Sequence, residues 1–267
     1  MIKFKPQRVN FADRRTPVMY DNEIDELAYS ILEDYRPELL REPGKIDVEH
    51  FLEHYLGAEV QFHDIYYDDP NKPIRAITAF TKGKVKVFDR ENNCVSYIDV
   101  PARTVILDNE VMESGKEGMA LFSGCHEGGH LNLHWDVIVN KNGVPYEKTK
   151  NGEAAVICCQ RNNIECVNFS YKERTPADWR EHQADYYASA ITMPNITFRP
   201  FVIQFLRYHG IYDGQIRIGR NSDLDILAKD LLPDYISELY GVSKRAAGIK
   251  LRKSGFVSEI NINSIIV

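Results

Sequence analysis

The 267-residue chain is short of several things, and each shortage removes a class of protein. No run comes near the roughly 18 consecutive apolar residues that a membrane helix needs. The apolar stretch "FRPFVIQFLRYHGIY" is short and is interrupted by Arg199, Pro200 and Arg207. Cysteines number five (Cys94, Cys125, Cys158, Cys159 and Cys166), an odd count at irregular spacing. That excludes a regular disulfide framework and fits a reducing compartment. Cys158, Cys159 and Cys166 match no standard zinc spacing and read as free thiols in or near a core. The opening residues "MIKFKPQRVNFADRRTP" lack the apolar segment and cleavage site of a secretory signal, so a cytoplasmic location is expected. There is no excess of basic charge. A formal net charge of −6 argues against a general nucleic-acid binder. Internal repeats, low-complexity tracts and long linkers are also missing.

What remains is an ordinary globular composition, 43% hydrophobic and 27% charged. Ile24, Leu27, Ala28, Ile31 and Leu32 fall at helical spacing, which predicts a helix from Asn22, its expected N-cap, to about Tyr35, before Pro37. Residues 47–57 predict a second helix, opened by Asp47 and closed at Gly57. The period then shortens. "AEVQFHDI", "AITAFTKGKVKVFD" and "TVILD" predict three or four strands of a small sheet, with a turn at Lys82-Gly83. Helical spacing returns in "GKEGMALFSGCHEGGHLNLHW". Residues 136–175 are turn-rich and read as an insertion with partial order. Thr175 and Pro176 then open a helix that Pro194 ends. Residues 195–257 are mostly helical.

The motif is His-Glu-x-x-His, from His126 to His130. Positions i and i+4 share one helix face, so both rings can serve one ion. Glu127 lies beside them, placed to act as a base on a metal-bound water of lowered pKa. Such a pattern arises by chance in roughly one or two of a hundred chains, so a third ligand has to be found. His134 fails. Eight residues of helix separate it from His126, about 12 Å of rise. It is expected in solvent or hydrogen-bonded behind a ligand. Asp136 would need a chain turn near Leu133, where no glycine supplies one. The later helix, "WREHQADYYASAITMP", offers Glu181 and Asp185 at i and i+4. One can bind the metal while the other holds the free nitrogen of a ligand histidine. His182 is the alternative ligand, and His182 and Gln183 are expected to point elsewhere. Tyr186 and Tyr187 are near in sequence but read as core residues rather than oxyanion donors.

HEGGH followed by "EHQADYYASAITMP" resembles the ImmA/IrrE family of cytoplasmic bacterial zinc metallopeptidases. Glu181, Ala184, Asp185, Tyr187, Ala188, Ile191, Met193 and Pro194 fall on the family's second motif. The likeness spans about residues 20–257, apart from 136–175. It implies a gluzincin-like core. His126, His130 and Glu181 would hold Zn2+, Glu127 would be the general base, and Asp185 would support a ligand. It also implies protein or peptide substrates, often helix-turn-helix repressors. Four departures stand out: Cys125 in place of alanine, Gly128 in place of a larger residue, Gln183 in place of the frequent second glutamate, and a gap of 51 residues between His130 and Glu181. Gly129 matches a position where the motif helix packs closely on a neighbour. Gly128 is expected beneath the cleft or merely tolerated.

The expected fold is therefore α+β. A zincin-like domain with a small mixed sheet and two metal-bearing helices would occupy residues 1–195. A helical, helix-turn-helix-like C-terminal lobe would occupy 196–267. Lys244, Arg245, Lys250, Arg252 and Lys253 make that lobe locally basic, and packing on the core is preferred to DNA binding. The competing function is a non-cleaving, metal-binding regulator.

Overall fold

The structure is a computed structural model, and it describes residues 2, 4–71, 73–150, 152–160, 174–219 and 221–259. The architecture is α+β, with a small mixed sheet. Helix α1, Asp21–Tyr35, buries Ile24, Ala28, Ile31 and Leu32, the face its spacing predicts. Its cap is Tyr20 rather than Asn22. The Glu23 carboxylate accepts from the Tyr20 N–H at 2.8 Å, which satisfies a donor at the helix start. Asp47 caps the next helix as expected, accepting from the His50 N–H at 3.0 Å. That helix is α-helical only over Val48–His50 (α2). It widens to a π-helix over Phe51–Tyr55, with Phe51 and Leu52 fully buried.

Strands β1 (Glu59–His63), β2 (Ile74–Ala79), β3 (Gly83–Asp89), β4 (Cys94–Val100) and β5 (Thr104–Asp108) follow. Every residue of β5 is buried, as its unbroken apolar run requires of an inner strand. It pairs with β1 in parallel and with β2 antiparallel. A sixth strand, β6 (Val156–Gln160), completes the order β1-β5-β2-β6. It comes from the stretch read as an insertion, of which 161–173, with Cys166, lie outside the described residues.

The turn at Lys82-Gly83 does not make a hairpin of β2 and β3. Instead β3 forms a separate antiparallel ribbon with β4. The reason is competition for edges. β2 is already paired on both sides, by β5 and β6. Residues 152–155 also run along β3, where the Ala154 N–H donates to the Lys84 carbonyl at 3.0 Å. Gly83 permits that approach, because a Cβ there would lie 2.4 Å from the Ala154 nitrogen.

Helix α3, Glu117–Leu133, carries the motif between the sheet and helix α5, Pro176–Thr192. It stops at His134 and is followed by the short α4, Trp135–Ile138. The chain does break after Leu133, contrary to the sequence reading. Its two central glycines face different neighbours. A Cβ on Gly129 would sit 3.1 Å from the Ala184 Cα, so α3 and α5 cross at backbone contact. A Cβ on Gly128 would meet only side-chain ends, Leu56 Cδ1 at 3.0 Å and Leu52 Cδ2 at 3.3 Å. Gly128 therefore packs on the 48–56 helix rather than making room in a cleft.

This gives a stability prediction. In Gly129→Ala, overpacking of about 1–3 kcal/mol outweighs the helix propensity gain of about 1 kcal/mol. The variant will be destabilised, with α3 and α5 pushed apart. Gly128→Ala, meeting flexible methyl groups, will be near neutral. Urea denaturation of both variants checks the contrast.

The C-terminal elements are α6 (Asn195–Tyr208), β7 (Ile216–Ile218), α7 (Ser222–Ile226), α8 (Leu232–Tyr240), α9 (Lys244–Lys253) and β8 (Val257–Glu259), with β7 and β8 paired in parallel. Gly241, at φ 71°, closes α8, and Ser243 caps α9 by accepting from the Ala246 N–H. One buried cluster takes in Met19, Leu107, Ile191, Leu232 and Val257 alike, so the two halves share a core. Gly118 sits at that junction. A Cβ there would lie 2.4 Å from the Ser243 nitrogen.

Of the basic residues of this region, Lys244 and Lys250 are engaged inside the molecule. Lys244 bridges Asp230 and Asp234. Lys250 is buried, its Nζ 5.4 Å from the Phe198 ring and 3.5 Å from the Ser189 carbonyl on α5. Burial pushes its ammonium down from 10.5 to about 8. The unfolded chain therefore binds the extra proton more tightly. The penalty is full below pH 8 and fades as pH rises toward 10.5. Lys250→Met will be the more stable protein at pH 7, and its advantage will shrink by about 2 kcal/mol by pH 9.5. Denaturation of both proteins at the two pH values tests this.

Candidate metal centre

Helix α3 presents His126, Glu127 and His130, all fully buried. Helix α5 is started by Thr175 and Asp178 in a reciprocal capping box, with Pro176 at its first position. Because α5 crosses α3 at Gly129, its next turn brings Glu181 and Asp185 to the two histidines. Glu181 Oε2 lies 3.6 Å from His126 Nε2, and Glu181 Oε1 lies 3.6 Å from His130 Nε2. The two Nε2 atoms are 3.0 Å apart. This His126, His130 and Glu181 cluster can hold a metal ion.

The tautomers follow from one unambiguous acceptor. The Pro17 carbonyl can only accept, so the Gln183 amide must present Nε2 to it, at 2.7 Å. Gln183 Oε1 then faces His134 Nε2 at 3.0 Å, and that nitrogen must donate. Burial holds His134 down to about 4, so its ring is neutral and its Nδ1 is an acceptor. His130 Nδ1, 2.9 Å away, donates to it. His130 Nε2 is left with a lone pair. On the other side, Asp185 Oδ1 accepts from His126 Nδ1 at 2.9 Å, so the Nε2 of neutral His126 also carries a lone pair. The two lone pairs face each other 3.0 Å apart. A positive charge must lie between them.

Without a metal, that charge is a proton on His126. Burial opposes it, but Cys159, Asp185 and Glu181 together carry the ring well above its usual value. His130 is driven well below, by burial and by the charge on His126. A metal ion would relieve the same arrangement by taking both lone pairs and the Glu181 carboxylate.

Glu127 is held differently. Thr78 on β2 donates its hydroxyl to Glu127 Oε2. The other oxygen, Oε1, is buried with no hydrogen-bond partner among the described residues. Burial raises the carboxyl to about 7.

The other sequence candidates fall elsewhere. His182 is 2.8 Å from Asp21 Oδ1 and stands outside the cluster. Asp136 is exposed on α4. His134 is no ligand but the buried partner of one. Tyr186 donates to Asp25, and the Tyr187 hydroxyl accepts from Asn132, so neither is aimed at the metal cluster. Cys125 is buried, and burial pushes its thiol up.

Gln183 is a correction, because it turns toward His134 rather than away. Thr78 was missed, Cys159 is the buried free thiol that the sequence reading expected, and no local spacing announces that either borders the cluster. A buried glutamine in mid-helix beside a ligand was the available signal for Gln183. Asp185→Asn and His134→Phe should each weaken metal binding by roughly 10–100-fold, the usual effect of losing a partner behind a ligand. Competition with a chelating dye measures it.

Among the described residues, no helix is long and apolar enough to cross a membrane. No protein-family model, curated protein or solved structure matches the chain.

Proposed function

We propose that the chain is a zinc-dependent peptidase with a zincin-like core, akin to the ImmA/IrrE family, acting on cytoplasmic proteins such as helix-turn-helix regulators. The observation that carries this reading is the pair of opposed Nε2 lone pairs, with Glu181 3.6 Å from each and Glu127 alongside. Ligands at about 2.0–2.1 Å from a tetrahedral zinc stand roughly 3.3 Å apart, and the three separations of 3.0, 3.6 and 3.6 Å bracket that value. Two imidazoles and one carboxylate are also the donor set of catalytic zinc, with a position left open.

When bound, zinc supplies a water of pKa near ~7 and polarises a peptide carbonyl. The chain's own residues do the rest. His126 and His130 stay oriented because Asp185 and His134 hold their Nδ1 protons. Glu127 Oε1, with no hydrogen-bond partner among the described residues, takes up a proton and returns it to the leaving amine. Thr78 fixes the other oxygen and so aims the carboxylate. A group poised near neutral pH can do both.

The full burial of His126, Glu127 and His130 favours a second reading, a metal-binding regulator that does not cleave. Neo-N-terminal proteomics of cells making the wild type or Glu127→Gln separates the two. Fragments made only by the wild type support the peptidase. Identical fragment sets would retire it in favour of the regulator.

A further inference from the structure

We propose that Cys159 is a further metal ligand, carried into the site by β6, which occupies the sheet edge that an extended substrate would otherwise use. The proposal rests on the metal site argued above and adds a latent state to it.

The sheet comes first. β2 carries Thr78, the residue that holds Glu127. One side of β2 is taken by β5. The other would be an open edge beside the metal cluster, with unpaired N–H and C=O groups of the kind that bind extended peptides. β6 fills that edge, antiparallel, with Thr78 opposite Ile157 and Ala76 opposite Cys159. Residues directly opposed across a ladder project to the same face, and alternate residues of a strand share one. Cys159 therefore faces the same way as Thr78, toward Glu127. Cys158, its neighbour, faces the other way and packs with the cluster around Ile77.

The chemistry agrees. A sulfur of Cys159, a ring nitrogen of His126 and a carboxylate oxygen of Glu127 lie within 4.8 Å of one another. Cys159 is 2% exposed and forms no disulfide. A buried cysteine is most often a small apolar filler. This one instead borders a ligand ring and the carboxylate of Glu127, whose Oε1 has no hydrogen-bond partner among the described residues. Thiolate is a strong zinc ligand, and with His126 and Glu127 it makes a second donor set that borrows one histidine of the first. Ligation needs no oxidant. The thiol releases one proton to solvent as the sulfur–metal bond forms, and no electron moves. With the ion drawn to Cys159 and Glu127 and the β2 edge paired, the general base is occupied and a peptide has no strand to bind. Displacing β6 would free both.

The test uses the full chain loaded with Co2+ in place of zinc. Metal analysis and the near-ultraviolet spectrum are read together. The wild type should bind cobalt and show a thiolate-to-cobalt charge-transfer band. Cys159→Ser should bind cobalt and lose the band, while Cys125→Ser and Cys158→Ser should keep it. Cobalt bound by the wild type without the band overturns the proposal and leaves the metal site standing. A band that survives in Cys159→Ser also overturns it. No cobalt bound at all overturns both readings. The wild-type spectrum decides without relying on any variant to fold.

Discussion

Glu127→Gln will lower peptide hydrolysis by about 10²–10⁴-fold, the usual contribution of a positioned general base, while metal content stays at the wild-type level. The substitution keeps the shape of the side chain. The amide oxygen can still accept from Thr78, the partner of Oε2. What disappears is the basic site at Oε1, which has no hydrogen-bond partner among the described residues. Stability should hold or rise, because the variant no longer buries a carboxyl that its surroundings have pushed up to about 7. Cleavage of a verified substrate, metal analysis and thermal melting are the three readouts. A variant that cleaves at the wild-type rate would show that the proton is moved by another group.

The second large effect is on the metal itself. Glu181→Ala will weaken binding by more than the roughly 10–100-fold that loss of a supporting partner brings, because it removes a donor. His182→Ala, one residue along, will change little, since that ring is turned to Asp21. Equilibrium competition with a chelator of known affinity compares them. Retention of full affinity in Glu181→Ala would shift the assignment to the neighbouring group of His126, Glu127 and Cys159, the other cluster able to hold an ion. The two clusters share His126 but not His130, so a His126 variant alone cannot separate them. The glutamate variant can.

These two predictions rest on the part of the site that local sequence carries. His126 and His130, or Glu181 and Asp185, need only the pitch of a helix to share a face. Thr175, Pro176 and Asp178 announce where α5 starts for the same reason. The relay through His134 and Gln183 depends on how α3 and α5 cross, and that crossing is set at Gly129 and Ala184 by contact across 55 residues of chain. Thr78 and Cys159 depend on strand pairing, which obeys no local spacing. Lys82-Gly83 shows the same limit. The residues turn as expected, but which strand β3 joins is decided by edges already taken. Gly128 was legible as an anomaly, and its cause, the methyl groups of Leu52 and Leu56, was not.

The segment leading into α1, with the first residue of α1 itself, holds α5 from far away in the chain. Arg180 donates to Thr16, Gln183 donates to the Pro17 carbonyl, and His182 meets Asp21, at separations of 164, 166 and 161 residues. During synthesis at roughly 5–20 residues per second, about 8–30 seconds pass between the two halves of each contact. A nascent chain that has already made HEGGH lacks Glu181, and it lacks Gln183 to fix the His134 ring. Thr16, Pro17 and Asp21 wait through that interval for their partners on α5. The His126, His130 and Glu181 cluster therefore closes late, after α5 has left the ribosome, and an incomplete chain lacks the third residue able to hold an ion.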